Sequence, residues 1–313
     1  MPKVEFKLGA DPEFLCASRN ITVYASDHIH KFTRENQSVD GIDSQDPISR
    51  SEFGRDGAGT PFEIRPKPET DPVKLVMNIR EILSTASRLT PTLYQYDWLA
   101  GSYRNGCSIG GHIHFGIRSV TGGNTSTYEV LTRILDDYLG IVTTLVESHE
   151  EGKLRRATGY GCPGQWREQP HGFEYRTPGS WLTSPYIATG ILCLGKTVVN
   201  EVLGKTGFKF RHHATTGELP SPLGVSDKIR LSKMPDLIAV FDSVWEDITK
   251  MELYKEYKQY LEVLRFLIVN KRTWYPSVSM KEAWGISEIS IPMPKSVSIN
   301  DVWSKYKLEA IHT

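Results

Sequence analysis

The stretch PFEIRP, residues 61–66, places a glutamate and an arginine two positions apart in an apolar run, and FEYRTP, residues 173–178, repeats the arrangement. Side chains at positions i and i+2 of a β-strand lie on the same face of a sheet. Each segment is therefore predicted to be a strand that carries a carboxylate beside a guanidinium. Such a pair is often a solvated surface pair, but a surface pair has no need of the bulky neighbours Phe62 and Phe173.

Two further strand-like segments carry ligand-type side chains at alternate positions. Asp11 and Glu13 lie in GADPEF, and His112 and His114 lie in GGHIHFG. If the four segments share a sheet, one of its faces collects carboxylates, imidazoles and guanidiniums, which is costly unless the charges neutralise a ligand. Carboxylates with an occasional imidazole suit Mg²⁺ or Mn²⁺, and arginines suit phosphate oxygens. The pattern indicates a site for a nucleoside triphosphate with metal ions.

Each segment also has a simpler interpretation. Asp11 with its following proline could only shape a turn, and Glu63 with Arg65 alone is more often a surface pair. A single histidine in a strand is usually a satisfied core or surface residue, although two on one face behind Gly-Gly favour a ligand. The combination of all four segments, rather than any one of them, carries the prediction.

Composition is that of an ordinary soluble globular protein of one large or two modest domains. Hydrophobic residues make up 39%, and Lys+Arg equals Asp+Glu at 37 each, so no global charge attracts nucleic acid or anionic membrane. The four cysteines show no metal-type spacing and are expected to be free thiols in a reducing compartment. The N-terminus lacks an apolar signal core, and no stretch is expected to approach the roughly 20 apolar residues of a membrane helix. These features predict a cytoplasmic protein.

Strands come in pairs with helices inserted between them, which favours an α+β fold with a largely antiparallel sheet. We expect a catalytic core over residues 1–204 and a mainly helical part over 205–313 that packs on it, with a single domain as the alternative. Strands are predicted on both sides of Asp11–Pro12 and at 61–66, 92–99, 110–119 and 173–178, and a loop over 26–60. Helices are predicted from Pro72, from Thr125 or Ser126, from Pro185 to about Leu203, and at about 235–250 and 252–271.

One stretch before the second FE-x-R segment is both basic and rich in glycine. It reads KLRRATGYGCPGQWREQPHG, residues 153–172, and is expected to be irregular. It either contacts phosphates and substrate or forms a solvated basic surface.

In order along the chain, GADPEF, GRDG (residues 54–57), FEIRP, GGHIHFG, the basic glycine-rich stretch and HGFEYRTP resemble the phage-type carboxylate–amine ligases. These are amidoligases of the glutamine synthetase and glutamate–cysteine ligase superfamily, and the resemblance covers about residues 5–185. It implies a glutamine synthetase-like core, a curved antiparallel sheet with helices on its outer face. It also implies ATP and two to three Mg²⁺ or Mn²⁺ ions. A carboxylate would be phosphorylated to an acyl phosphate, which an amine then converts to an amide.

The resemblance also implies roles for individual residues. The metal ligands would be Glu13, Glu63, Glu174 and His112, with His114 as a rival for His112 and with Asp11 and Asp56 as further candidates. Arg176 would steady the transferred phosphoryl group, Arg65 and Tyr160 would contact the nucleotide, and Arg155, Arg156 and Arg167 would lie near substrate and phosphates. The implied partners are a small carboxylate and an amine, or a modified nucleotide or peptide, with nucleic acid only as a substrate, no membrane, and an oligomer as an option.

Other functions compete with this one. GILCLGKT, residues 190–197, fits the pattern of a phosphate-binding loop. Its intervening residues are apolar and continue a helical pattern, so we expect a helix with Lys196 on its surface instead. A guanidino kinase on the same fold would transfer phosphate without forming an amide. A non-catalytic virion protein would show gaps in the ligand set, and a metal-dependent hydrolase would act without ATP.

Overall fold

The structure is a computed structural model that describes residues 3–18, 21–28, 52–55, 59–89, 91–204, 234–274 and 279–286. Its strands are β1 (Lys7–Ser18), β2 (Ile21–Val23), β3 (Phe53–Gly54), β4 (Phe62–Ile64), β5 (Asp97–Leu99), β6 (Tyr103–Arg104), β7 (Cys107–Ser108), β8 (Gly111–Gly116), β9 (Trp166–Gln169) and β10 (Gly172–Tyr175).

The long strand β1 organises the main sheet. The strand order is β3-β4-β1-β8-β10-β9, and β2 and β5 pair with the second half of β1. Every one of these pairs is antiparallel. A separate hairpin joins β6 to β7. The predicted α+β fold with a largely antiparallel sheet is confirmed.

Helices fill the intervals between the strands, and those that the sequence predicts begin at or within two residues of the expected positions. For α7 the Ser184 side chain accepts a hydrogen bond from Ile187 N, which caps the helix ahead of its first-turn proline. The helices are α1 (Pro72–Leu89), α2 (Pro91–Tyr94), α3 (Arg118–Thr121), α4 (Thr125–Leu135), α5 (Ile141–Val146), α6 (His149–Ala157), α7 (Pro185–Leu203), α8 (Met234–Ile248), α9 (Tyr254–Val269) and α10 (Met280–Ala283). A 3₁₀ turn spans Ala25–Asp27, and a π turn, Asp136–Gly140, joins α4 to α5.

The two faces of the sheet are chemically distinct because side chains alternate along each strand. On β8, Ile113 and Phe115 are fully buried and point toward the helices. Phe115 lies against α7, where a Cβ at Gly195 would be 3.4 Å from its ring. Phe173 of β10 stacks on Tyr128 of α4, with ring centroids 5.3 Å apart. The helices therefore cover one face, and the other face holds the side chains that alternate with these aromatic residues.

Helix α7 is the central helix of the core. Within the described part of the chain it is the one helix long and apolar enough to cross a membrane, and 83% of its most apolar stretch is buried inside the protein. The expectation that no segment reaches that length and apolarity is wrong for α7. Its apolar surface is used in packing: a Cβ at Gly190 would lie 2.6 Å from Leu264 of α9, so the two helices approach closely.

Strand β1 runs without interruption through Pro12, where the sequence predicts a break. Backbone groups of alternate residues point to alternate edges of an antiparallel strand. The backbone nitrogens of Leu8, Pro12 and Phe14 all point to the same edge of β1. On this edge Leu8 N donates to Glu69 O, and Phe14 pairs with Phe62 of β4. The missing donor of Pro12 thus falls between two paired positions, which is where a sheet tolerates proline.

Several local predictions are wrong. Residues 91–94, expected to be extended, form α2, and the strand β5 is confined to 97–99. The basic stretch, expected to be irregular, begins inside α6, contains β9 and reaches the first residue of β10. Strand β3 lies within the expected loop 26–60. Lys196 is on a helix as predicted, but it is buried rather than on the surface.

The C-terminal helices contact the first 204 residues at several points. Tyr138 of the π turn donates to the Asp247 carboxylate of α8 at 3.1 Å, and Trp284 Nε1 donates to Leu182 O at 2.7 Å. A boundary near residue 204 between a catalytic core and a helical part stays a prediction, since residues 205–233 lie outside the described residues.

Candidate active site

The register of the sheet brings the four motifs together on the face opposite the helices. Asp11 of β1 lies directly across from His112 of β8, and Glu174 of β10 lies across from His114. On the other side of β1, Glu13 lies across from Glu63 of β4. Residues that face each other across antiparallel strands share a face. The two FE-x-R segments are therefore strands of one sheet, separated by β1 and β8, with their glutamates on the same side.

Asp11, His112 and Glu174 form a buried group that could hold a metal ion. The His112 Nδ1 is 3.4 Å from Asp11 Oδ1 and 3.4 Å from Glu174 Oε1. The Asp11 Oδ1 is buried and has no hydrogen-bond partner among the described residues. A buried carboxylate oxygen without a donor is costly. A divalent cation about 2.1 Å from each ligand atom would satisfy it, so these residues fit a metal ion.

His114 engages the second oxygen of Asp11 instead of joining this group. Its Nε2 is 3.2 Å from Asp11 Oδ2, and its Nδ1 is 3.2 Å from His171 Nε2. Burial alone would lower the pKa of His114, but the charge and hydrogen bond of Asp11 raise it. The pKa of Asp11 lies well below its ordinary value, because the charges of His114 and His112 outweigh the effect of burial. Burial lowers the pKa of His171 to about 4, and a neutral His171 can accept a hydrogen bond from His114 Nδ1.

Two further carboxylates lie beside the group. Glu13 Oε2 accepts a hydrogen bond from Gly110 N at 2.6 Å, and Glu63 Oε1 accepts one from Arg65 Nε at 2.6 Å. Burial raises the pKa of Glu13. Burial, with the charge of Asp11 next in size, raises the pKa of Glu63 well above its ordinary value. The concentration of carboxylates makes this face favourable for cations.

Three arginines border the carboxylates. Glu174, which is fully buried, accepts hydrogen bonds from Arg176 Nη1 and from Arg167 Nε, each at 2.6 Å, and from Gln169 Nε2 at 2.9 Å. Arg65 holds Glu63 in the same way on the other side. The side chains of Arg65, Arg176 and Arg167 are 23%, 22% and 49% exposed, so their guanidiniums are reachable from solvent.

Arg155 and Arg156 are placed differently. Both are buried. Arg155 donates to the carbonyl oxygens of Thr177 and Pro178 at 2.7 and 2.8 Å, and Arg156 forms an ion pair with Glu147. These contacts fix the chain around the site, and they lend no support to the predicted catalytic role of either arginine.

Tyr160 reaches the group from the loop between α6 and β9. Its hydroxyl is 2.9 Å from His112 Nε2 and 3.4 Å from Glu13 Oε1. The guanidinium carbons of Arg155 and Arg176 lie 4.9 and 5.7 Å from the centre of its ring. Asp56, the remaining predicted ligand, lies outside the described residues.

Sequence reasoning missed His171, Gln169 and Gln165 as parts of this site. His171 and Gln169 flank the β9–β10 turn, and only the pairing of β9 with β10 brings them to Glu174 and His114. The alternation of Arg167 and Gln169 along β9 was a usable signal, since both face Glu174.

Comparison with known proteins identifies the family. Residues 8–286 match the sequence model of the family described as "Phage phiEco32-like COOH.NH2 ligase-type 2". The chain belongs to this family of carboxylate–amine ligases. The resemblance seen in the sequence motifs is thereby confirmed, and the match extends beyond residue 185, where the motifs end.

Two solved structures resemble this chain more distantly. A bifunctional glutathione synthetase from Pasteurella multocida is 11% identical, with a TM-score of 0.38 over 87% of this chain and 53% of that one. A structure described as a novel glutamine synthase homolog is 12% identical, with a TM-score of 0.37 over 90% of this chain and 71% of that one. The chain thus spans about half the length of the glutathione synthetase. No curated protein sequence matches it.

Proposed function

We propose that the protein is an ATP-dependent carboxylate–amine ligase that works through an acyl phosphate and uses Mg²⁺ or Mn²⁺. The observation that carries the proposal is the unpartnered buried oxygen of Asp11, which faces His112 and Glu174 on the sheet face bordered by arginines. Oxygen ligands with one imidazole suit these ions. Such a face fits a polyphosphate that carries divalent cations better than it fits an uncharged substrate.

The proposed role of each residue follows from its position on the sheet face. Asp11, His112 and Glu174 would hold one ion, and Glu13 and Glu63 on the neighbouring strands offer carboxylates for a second or third. When bound, these ions supply positive charge to the phosphate oxygens. Arg176 and Arg167 would offer N–H groups to the phosphoryl group, and Arg65 would contact the nucleotide from the opposite side.

The proposed reaction has two steps. A substrate carboxylate oxygen attacks the γ-phosphorus of ATP, the bond to the bridging oxygen breaks, and ADP leaves. The amine nitrogen then attacks the acyl carbon, phosphate leaves with the bonding pair, and the nitrogen gives up a proton. The guanidinium of Arg176 would stabilise the charge on the phosphoryl oxygens during the first step. Small-molecule carboxylates and amines are the substrates that follow from the family.

We propose the cytoplasm as the site of action, because ATP is available there and Cys16, Cys107 and Cys193, in the described part of the chain, carry free thiols. The C-terminal helices, through the contacts of Asp247 and Trp284, would support the core and shape access to it.

The test is an ATP-dependent hydroxamate assay. The purified protein is incubated with Mg²⁺, ATP and a pool of amino acids, peptides and other carboxylates, with hydroxylamine as the amine. Hydroxamate and ADP formed together, in equal amounts, are expected. Arg176→Ala should lower the rate of both on the order of 10³-fold, and Arg118→Ala, at an exposed residue whose partner is the surface residue Glu168, should not. Deconvolution of the pool then identifies the carboxylate.

Other outcomes have defined meanings. ADP without hydroxamate, when a guanidine is present, would indicate a guanidino kinase. Hydroxamate formed in the absence of ATP would indicate a hydrolase that transfers acyl groups to hydroxylamine. Either result would overturn the proposed ligase mechanism.

A further inference from the structure

The Tyr160 hydroxyl lies between two residues of the candidate metal centre. It is 2.9 Å from Nε2 of His112 and 3.4 Å from Oε1 of Glu13. The Tyr160 side chain is thus a bridge between β8 and β1 on the open face of the sheet. It comes from a loop rather than from a strand, so the alternation of side chains along the strands does not set its position.

The two ring nitrogens of His112 face different surroundings. Nδ1 faces the carboxylates of Asp11 and Glu174, whereas Nε2 faces the Tyr160 hydroxyl. A histidine nitrogen binds a metal ion through its lone pair, so it must carry no proton. The single proton of the neutral ring then resides on the other nitrogen and needs an acceptor.

A tyrosine hydroxyl suits this requirement because it accepts and donates at the same time. In this tautomer it would accept a hydrogen bond from His112 Nε2–H while it donates its own to Oε1 of Glu13. The other oxygen of Glu13 is already bound by Gly110 N. The chain of hydrogen bonds therefore leads from Nε2 through the hydroxyl to a carboxylate that is fixed by the backbone.

We propose that Tyr160 is a positioning residue for the metal centre. Its hydroxyl holds His112 in the tautomer that carries the ring proton on Nε2 and leaves the Nδ1 lone pair directed between Asp11 and Glu174. This inference rests on the proposed function, since it concerns the metal ion, and it replaces the contact with the nucleotide that the motif resemblance implies for Tyr160.

Gly110 makes the contact between Tyr160 and His112 sterically feasible. A Cβ at this position would lie 2.5 Å from His112 Nε2 and 2.9 Å from the Tyr160 hydroxyl oxygen. Any side chain here would enter the hydrogen bond. The first glycine of the Gly-Gly pair is thus explained by the approach of Tyr160, whereas a Cβ at Gly111 would meet Gly179 O and Trp181.

The loop that carries Tyr160 is itself held at several points. The Gln165 side chain accepts from Gly161 N at 2.7 Å and donates to Gly159 O at 2.6 Å, so it binds the loop on both sides of Tyr160. Asp136 of the π turn accepts from Gly164 N at 2.6 Å. These bonds restrict the hydroxyl to one place, as a positioning role requires.

Asp136 also ties the loop to the sheet. Its other oxygen accepts hydrogen bonds from the Tyr175 hydroxyl at 2.7 Å and from Thr177 Oγ1 at 3.0 Å. Tyr175 adjoins the ligand Glu174, so the π turn connects the loop directly to strand β10. π turns inside helices are frequent at functional sites, and this one fixes the loop relative to the metal centre.

The first experiment measures Mn²⁺ affinity without any substrate. Free Mn²⁺ is followed by electron paramagnetic resonance during titration of the wild type, Tyr160→Phe and Tyr128→Phe. Tyr160→Phe keeps the ring near Arg155 and removes only the hydroxyl. Tyr128→Phe is a matched control, because its buried hydroxyl bonds Thr121 away from the centre. We expect Mn²⁺ to bind Tyr160→Phe about 10–100-fold more weakly, with the control unchanged.

The outcomes separate this inference from the proposed function. If the wild type binds Mn²⁺ and Tyr160→Phe binds it equally well, the positioning role is wrong while the metal centre stands. If the wild type itself binds no Mn²⁺, the metal-dependent function fails, and the inference fails with it.

A second measurement needs no variant and reports the tautomer directly. In ¹⁵N-histidine-labelled wild type with Mg²⁺, long-range ¹H–¹⁵N correlations show which nitrogen of His112 carries the proton. We expect a protonated Nε2 and an unprotonated Nδ1. A proton on Nδ1 in the presence of saturating Mg²⁺ would overturn the proposal even if Tyr160→Phe proved unstable.

Discussion

Oδ1 of Asp11 and Nδ1 of His112 lie 3.4 Å apart at directly opposed positions of two antiparallel strands, and this oxygen has no hydrogen-bond partner in the described part of the chain. Strand register alone creates the relationship. A slip of one residue would place Ile113, a core residue, opposite Asp11 and would turn the histidines toward the helices. The packing of Ile113 and Phe115 against the helices thus secures the geometry of the candidate metal centre.

Asp11→Asn is expected to remove metal binding while leaving the fold intact. Asparagine has nearly the shape of aspartate and keeps one oxygen, but it lacks the negative charge and directs an amide group toward His112 or His114. The loss of Mn²⁺ affinity should exceed the roughly 10–100-fold effect of an outer partner. Isothermal titration with Mn²⁺ measures it.

Asp242→Asn is the matched control, since Asp242 of α8 has a side chain that is 84% exposed. It should bind Mn²⁺ like the wild type. Undiminished affinity in Asp11→Asn would show that Asp11 is not a ligand.

Arg176 should contribute to the rate more than to binding. Its guanidinium donates to Glu174 at 2.6 Å and is partly exposed, so it can also reach a phosphoryl oxygen. By analogy with arginine fingers, Arg176→Ala should lower kcat on the order of 10³-fold. Arg176→Lys keeps the charge but loses the planar guanidinium group, so its kcat should lie between those of the wild type and Arg176→Ala. Initial rates in the hydroxamate assay at saturating ATP measure this.

A change in KM for ATP with an unaltered kcat in both Arg176 variants would contradict this role. It would mean that Arg176 binds the ground state and the transition state equally.

Local periodicity predicts the strands of the site but not the detailed partners within it. The alternation in FEIRP and FEYRTP suffices to place Glu63 and Glu174 on strand faces, because a strand has a period of two. The sequence could not predict that Asp11, rather than Glu13, belongs to the buried group with His112 and Glu174, since this depends on which residue of β1 faces His112. Cross-strand register is non-local information that one segment does not contain.

The burial of two arginines was likewise not predictable from the local sequence. Arg155 and Arg156 lie in a basic stretch, and composition suggests exposure to phosphate. Their burial follows from the carbonyl groups after β10 and from Glu147, which only the tertiary fold brings near. Lys196 is buried for a related reason: Phe6, which is distant in sequence, supplies both a carbonyl acceptor and a ring.

The burial of Lys196 should be visible in the pH dependence of stability. Its Nζ donates to Phe6 O at 2.6 Å and lies 3.4 Å from the centre of the Phe6 ring. Burial, assisted by the charge of Lys3, lowers the pKa of Lys196 from 10.5 to about 8. Between these values the unfolded chain binds more protons than the folded one, so stability rises with pH. Below about 8 the cost of the buried charge is fully present.

The measurement compares the free energy of unfolding in urea for the wild type and Lys196→Met at pH 7 and at pH 10. The free energy of unfolding of the wild type, relative to that of Lys196→Met, should be larger at pH 10 than at pH 7, because methionine does not titrate. Lys250→Met, at a position whose side chain is 53% exposed, should show no such trend. A constant difference for Lys196→Met would mean that the buried amine has an ordinary pKa.

Gly161 and Gly159 provide a matched pair for testing how the Tyr160 loop is held. Both have positive φ, +69° and +82°. Alanine at either position therefore costs about 1–2 kcal/mol for the left-handed conformation. A Cβ at Gly161 would also lie 1.8 Å from Arg155 Nη1, whereas a Cβ at Gly159 would meet nothing within 4 Å.

Gly161→Ala should therefore lose more unfolding free energy than Gly159→Ala, because Arg155 must leave the carbonyl groups of Thr177 and Pro178. A hydrogen bond to a charged group contributes about 1.5–3 kcal/mol, so the excess should be at least of this size. In an Arg155→Ala background, where the obstructing guanidinium is gone, the two alanine variants should cost the same. Urea unfolding of the six proteins measures these differences, and equal costs in the Arg155 background and in the wild type would show that Arg155 does not fill the space beside Gly161.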